Sequence, residues 1–97
     1  MRWRLAEIFQ RRHEASVLVA AEPDVALLTS AAALRRLGAR ITRYDSEAGT
    51  LEAQVTPLAG IVRLRAAAAD ARTTRVELHG DQAARRVIRR FRGALSA

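Results

Sequence analysis

The sequence contains no lysine, no cysteine and no asparagine, and its aromatic residues number four: Trp3, Phe9, Tyr44 and Phe91. Without cysteine there is no disulfide framework, no thiolate metal site and no thiol nucleophile, which fits a reducing compartment. The five glycines are scattered at turns and helix ends, so no glycine-rich phosphate loop can form. The longest purely apolar run, Val17 to Ala21, falls far short of the roughly 20 residues a membrane-spanning helix needs. No signal-peptide core precedes a cleavage site, and the expected location is the cytoplasm. At 97 residues the chain has room for one modest hydrophobic core, hence one domain.

What the chain does have is arginine. All 17 cationic residues are arginine, set against 10 acids, and the net charge is +7. The excess sits at the two ends. Residues 1–13 hold Arg2, Arg4, Arg11 and Arg12 against Glu7, and residues 81–97 hold Arg85, Arg86, Arg89, Arg90 and Arg92 against Asp81. Between them, eight arginines balance eight carboxylates. GC-rich coding could raise the arginine count anywhere, but it would not leave the middle balanced and the ends unbalanced. A charge split of this kind points to an acidic partner, either nucleic acid or an anionic surface.

Hydrophobic spacing orders the elements. Leu5, Ile8 and Phe9 recur at helical intervals, so the first twelve residues read as a short amphipathic helix within a basic N-terminal segment, residues 1–13. Residues 14–97 read as a single α+β domain. Its first strand is expected at Ala15–Ala21, centred on Val-Leu-Val. Pro23 then opens a helix running to Leu37, with Leu27, Ala31 and Leu34 forming an apolar stripe beside Val25 and Leu37, and Gly38 as its left-handed stop. Four strands follow. Ala39–Tyr44 leads through the turn Asp45–Gly49 to Thr50–Thr56, where Leu51, Ala53 and Val55 share a face. Pro57 and Gly60 bracket the next turn, after which Val62, Leu64 and Ala66 point one way. Ala66–Ala71 reads as a loop, being too short to hold an alanine helix unaided. Thr73–His79 alternates again, and Asp81 caps a final helix on which Ala84, Val87, Ile88, Phe91 and Leu95 fall on one side and arginines on the other.

The resulting order is β-α-β-β-β-β-α, an antiparallel sheet with helices on one face, preceded by the N-terminal helix. This order resembles the TATA-binding-protein-like or helix-grip arrangement, in which a curved sheet wraps a long C-terminal helix. The resemblance covers roughly residues 14–95 and lies in the topology, with no family motif to transfer a functional residue. It implies either a nucleic-acid binder or a hydrophobic-ligand binder.

Catalytic and metal chemistry is sparse. Ser16, Ser30, Ser46 and Ser96 sit in no nucleophile signature. His13 and His79 lack a neighbour at ligand spacing, and a metal would need them joined by Glu14 or Glu77. The carboxylates each have a nearby arginine or a capping or turn role, so the expectation is a protein without enzymatic activity, cofactor or metal. The solvated sheet face should gather Glu52, Gln54, Arg63, Arg65, Arg75, Glu77 and His79, together with Tyr44, as cross-strand ion pairs. It lacks the aromatic pairs that stack bases. The final helix is the stronger signal, with Arg85, Arg86, Arg89, Arg90 and Arg92 on its polar side and no acid after Asp81. Arginine's fork pairs bidentately with phosphate oxygens. The expected function is therefore a binding module contacting nucleic-acid phosphates through Arg2, Arg4, Arg11, Arg12 and these five, with little sequence selectivity. The alternative is a protein-interaction or hydrophobic-ligand domain whose charge serves solubility. The N-terminal helix, with Trp3, would dock on the domain, form a homodimer contact or, less favoured, lie on an anionic membrane surface.

Overall fold

The computed structural model describes residues 13–55 and 60–96. The expected N-terminal helix, its arginines and Pro57 lie outside the described residues. Strand β1 (His13–Val19), helix α1 (Pro23–Arg36) and strands β2 (Ala39–Asp45), β3 (Thr50–Val55), β4 (Gly60–Ala68) and β5 (Thr74–Gly80) follow in turn. A 3-10 turn, Gln82–Ala84, then leads into helix α2 (Arg85–Ser96). The class is α+β. Five strands form one sheet in the order β1-β5-β4-β3-β2, with every neighbouring pair antiparallel.

Helix α1 starts where Pro23 and Asp24 suit the positive end of a helix, and Arg35 and Arg36 occupy its last turn. Its stop is glycine: Gly38, at φ 90°, donates its N–H to the Arg35 carbonyl at 3.0 Å. The helix packs on β2, β3, β4 and β5, so it carries the chain across the sheet from one edge to the other. Leu27, Ala31 and Leu34 are buried, whereas Val25 is 47% exposed and not part of the stripe. At 100° per residue, Val25 stands about 200° round the helix from Leu27. Leu37 packs at the core margin.

Alternate sheet residues supply the rest of the core, with Leu51, Ala53, Val55, Val62, Leu64, Ala66, Val76 and Leu78 all buried beneath the two helices. From α2 come Val87, Ile88 and the fully buried Phe91, while Leu95 is only partly buried. Ser30 is also fully buried, and its hydroxyl has no hydrogen-bond partner among the described residues. An unpaired buried hydroxyl costs about 1–3 kcal/mol. Ser30→Ala is thus expected to stabilise the domain by about 1 kcal/mol, helped by alanine's better helix propensity, and urea unfolding would show the midpoint rising.

Several boundaries differ from the sequence reading, each because a pairing partner overrides local propensity. Strand β1 begins at His13 and ends at Val19, not at Ala15 and Ala21, because it matches β5 residue for residue from His13↔Gly80 to Val19↔Thr74. Ala66–Ala68 belong to β4, not to a loop, since the ladder with β5 continues to Ala68↔Thr74. The connection is Ala69–Thr73, where the Asp70 carboxylate accepts the Arg72 N–H at 2.9 Å. That bond, and then the Thr73 side chain, holds the Asp70 pKa below the ordinary value. Its contribution to stability is present above the ordinary carboxylate pKa and fades as pH falls through the lowered one.

The order also gains an element, because Asp81 caps the 3-10 turn, not α2 itself. Its carboxylate accepts the Ala84 N–H at 3.2 Å and its carbonyl accepts the same N–H at 3.0 Å. The turn lies tight against β4. A Cβ added at Gly60 would sit 2.8 Å from both the carbonyl carbon and the Cβ of Ala83. Gly60→Ala should therefore cost roughly 1–3 kcal/mol by overpacking, read as a lower denaturation midpoint.

The sheet's outer face is corrected at one position. In β2 the register passes from Ile41↔Ala53 to Arg43↔Glu52, leaving Thr42 as an extra residue that donates its hydroxyl to the Glu52 carbonyl at 3.2 Å. Beyond this bulge Tyr44 pairs with Leu51, which puts it on the helix-covered side.

Candidate nucleic-acid interface

Two arginine populations face solvent. On the outer sheet face, register sets Glu14, His79, Arg63, Glu52 and Arg43 in one row across all five strands. Opposite charges thus stand side by side. Arg63 Nε meets Glu52 Oε2 at 3.1 Å and His79 Nδ1 meets Glu14 Oε2 at 3.2 Å. In the neighbouring rows Arg65 stands opposite Glu77, Arg75 donates to the Ser16 hydroxyl at 3.2 Å, and Arg40 donates to Gln54 Oε1 at 3.0 Å. Exposed pairs of this kind contribute about 0.2–1 kcal/mol each, and Arg43 and Arg65, which make no ion pair among the described residues, each stand across the ladder from a carboxylate, Glu52 and Glu77. No aromatic residue lies on this face among the described residues.

Helix α2 is built differently. Burial of Val87, Ile88 and Phe91 turns the other side outward, so Arg85, Arg86, Arg89, Arg90 and Arg92 are all exposed. The structure brings these five together on one element. Arg85, Arg86, Arg89 and Arg90 line an open hollow with Gln82 and Ala83. Arg85, Arg89 and Arg92 line a second one, between α2 and β1, with Glu14, Ala15, Ser16, Val17 and Ile88. Arg92 donates to the Ser16 carbonyl at 3.3 Å. Among the described residues the side chains of Arg85, Arg86, Arg89 and Arg90 have neither an ion pair nor a hydrogen bond. Asp81, the acid nearest in sequence, already accepts the Ala84 and Ile61 N–H groups.

This placement costs stability. The first turn of α2 holds no acid, and Arg85 and Arg86 stand at the positive end of the helix dipole. Arg85 and Arg89, and Arg86 and Arg90, are like charges one turn apart, each pair unfavourable by about 0.2–0.5 kcal/mol at low salt. Raising sodium chloride from about 10 to 150 mM should therefore raise the thermal midpoint by a few degrees as screening grows. A midpoint falling over that range would mean the charges are internally compensated.

The remaining sequence-expected residues fare unevenly. Arg2, Arg4, Arg11 and Arg12 lie outside the described residues. No cluster of three or more His, Cys, Asp or Glu side chains able to hold a metal occurs among the described residues. No described helix is long and apolar enough to cross a membrane. The edge of β1 and the Ser16 carbonyl belong to the site's surroundings but carried no signal in the sequence, because only the pairing of β1 with β5 brings them beside α2.

No family model matches the sequence, and no curated protein matches it. A solution NMR structure of a protein from Thermobifida fusca, solved as a structural-genomics target, is similar with a TM-score of 0.54 and 15% identity. The match covers 84% of this chain and 82% of that one. At that identity the likeness shows a shared fold and nothing more.

Proposed function

We propose that the domain binds nucleic-acid phosphates through the exposed side of α2, with little sequence selectivity and without catalysing a reaction. One observation carries this reading: among the described residues the side chains of four arginines grouped on α2 have no partner, while on the sheet Arg63 is ion-paired, Arg40 and Arg75 are hydrogen-bonded, and Arg43 and Arg65 each stand across the ladder from a carboxylate. A helix kept soluble by charge usually mixes signs, and a cationic cluster at the positive end of a helix serves anions better than it serves folding. Phosphates suit it because each arginine fork takes two oxygens at once. Base readout has little support. The sheet face offers no aromatic for stacking, and Gln82 is the one amide beside the cluster.

The hydrophobic-ligand alternative has less to stand on. Phe91, Leu27, Leu34, Leu64 and Leu78 fill the space between helices and sheet where such a ligand would sit. Both hollows described above open to solvent and are lined by arginine.

The test is a salt titration of binding to single- and double-stranded DNA and RNA. On duplex DNA each phosphate contact contributes about −0.9 to the slope of log K against log salt, so the four unpaired arginines alone should give about −3.6. Arg2, Arg4, Arg11 and Arg12 would steepen it. Absence of salt-dependent binding to every nucleic acid at low ionic strength would overturn the reading.

A further inference from the structure

Strand β1 is the sheet's edge, paired with β5 on one side and with no strand on the other among the described residues. An open edge presents backbone N–H and C=O groups able to take another strand, and natural edges are usually blunted by lysine, proline or a bulge. From His13 to Val19, β1 has none of these, and its register with β5 is unbroken. What stands over it is α2. Arg92 reaches across to the Ser16 carbonyl, the single side-chain cover on this edge among the described residues.

We infer that the β1 edge accepts an extended acidic segment of another protein as a sixth strand, with its acidic side chains on the helix-covered side meeting Arg85, Arg89 and Arg92. This goes beyond the phosphate reading, because it rests on the open edge and the cleft and does not use Arg86 or Arg90. The cleft dictates an alternating pattern. Successive side chains of an added strand point to opposite faces. Those turned toward α2 enter the cleft lined by Ala15, Val17, Ile88 and the three arginines, with Glu14 and Ser16 completing its lining. A glutamate fits such a space, with its methylenes against the apolar side chains and its carboxylate on a guanidinium, since three arginines outnumber the single acid of the lining. Those turned to the outer face pass Glu14, which repels an acid, and Leu18, which is 57% exposed and favours an uncharged neighbour. The preferred segment is therefore acidic at every second position and uncharged between. A second copy of this chain suits the edge poorly, because β1-to-β1 pairing would set two arginine helices side by side with one acid of the cleft lining, Glu14, from each copy against three arginines.

The test uses the full chain and three synthetic peptides of about ten residues, the length of a long strand. One alternates glutamate with threonine, one has the same composition in two blocks, and one alternates lysine with threonine. The alternating acidic peptide should bind at least about tenfold more tightly than the block peptide, the discrimination expected when one charge-assisted hydrogen bond is lost. It should also slow amide exchange within residues 13–19, and the lysine peptide should not bind. Arg92→Glu should weaken the acidic peptide by about tenfold or more, while Arg86→Glu with Arg90→Glu should leave it within about threefold. Equal binding of the alternating and block peptides would reduce the effect to general charge attraction and overturn the proposal. So would amide protection of β1 by an oligonucleotide instead of the peptide, or concentration-dependent protection of β1 in the chain alone, which would assign the edge to a second copy. Because peptide binding is read without nucleic acid, its failure and that of the phosphate reading are separable.

Discussion

Phe91→Ala is expected to destabilise the domain by about 3–5 kcal/mol, which for a domain of this size is a large part of its total stability. Phe91 is fully buried and is among the largest of the side chains with no exposed surface. It lies one helical turn from Val87 and three residues from Ile88, on the side of α2 that packs against α1, β1 and β5. Removing the ring leaves a cavity that cannot collapse, because the neighbouring layer is a hydrogen-bonded sheet and the space above it is held by α1. Chemical denaturation measures the effect directly. A loss below about 1 kcal/mol would mean that α2 is not anchored on the sheet, and the orientation of its arginines would then lose its basis.

Reversing Arg86 and Arg90 together, as Arg86→Glu with Arg90→Glu, is expected to weaken nucleic-acid binding by about ten- to a hundredfold at low salt and to flatten the salt slope by about 1.8. Both side chains are exposed and have no partner among the described residues, so the domain should keep its fold, and the acid introduced at position 86 would sit in the first turn, at the favourable end of the helix dipole. Wild-type affinity at physiological salt should lie in the roughly 10⁻⁴–10⁻⁶ M range of non-specific binders, and the double variant should lose similar factors on unrelated sequences. Unchanged binding by a correctly folded double variant would remove α2 from the interface. Thermal unfolding of the same sample separates that outcome from misfolding.

Much of this architecture can be read in the residue pattern, and the exceptions share a cause. The final helix is legible because Val87, Ile88 and Phe91 recur at helical spacing between arginines, and burial follows that stripe. The alternation of Leu51, Ala53 and Val55 marks the covered face of β3 equally well. Gly38 and Gly49, with φ of 90° and 71°, end the helix and the hairpin turn where glycine stands in the sequence. What escapes is everything decided by partners distant in sequence. The alanines at 66–68 join a strand because β5 supplies their hydrogen bonds, although alanine alone favours helix. Tyr44 changes face because one residue, Thr42, is bulged against β3. The distinction between occupied and free arginines depends on register as well. Arg63 is neutralised because Glu52 lies directly across the ladder, and nothing in the local sequence around Arg86 or Arg90 shows that no acid of the described residues folds back to meet them.

The seating of β1 against β5 also orders the events of folding. These strands meet from His13↔Gly80 to Val19↔Thr74, joining the start of the described chain to a segment some sixty residues later. The meander from β2 to β5 closes through short connections and low-cost loops, whereas β1 must wait for a partner that a ribosome delivers about three to twelve seconds afterwards, at roughly 5–20 residues per second. Until Thr74–Gly80 emerges, Val17 and Val19 have no sheet to join and α1 has no completed floor. High contact order of this kind slows folding more than it limits stability. A nascent chain stalled before Thr74 should therefore remain protease-sensitive throughout β1, even with the hairpin of β2 and β3 already formed.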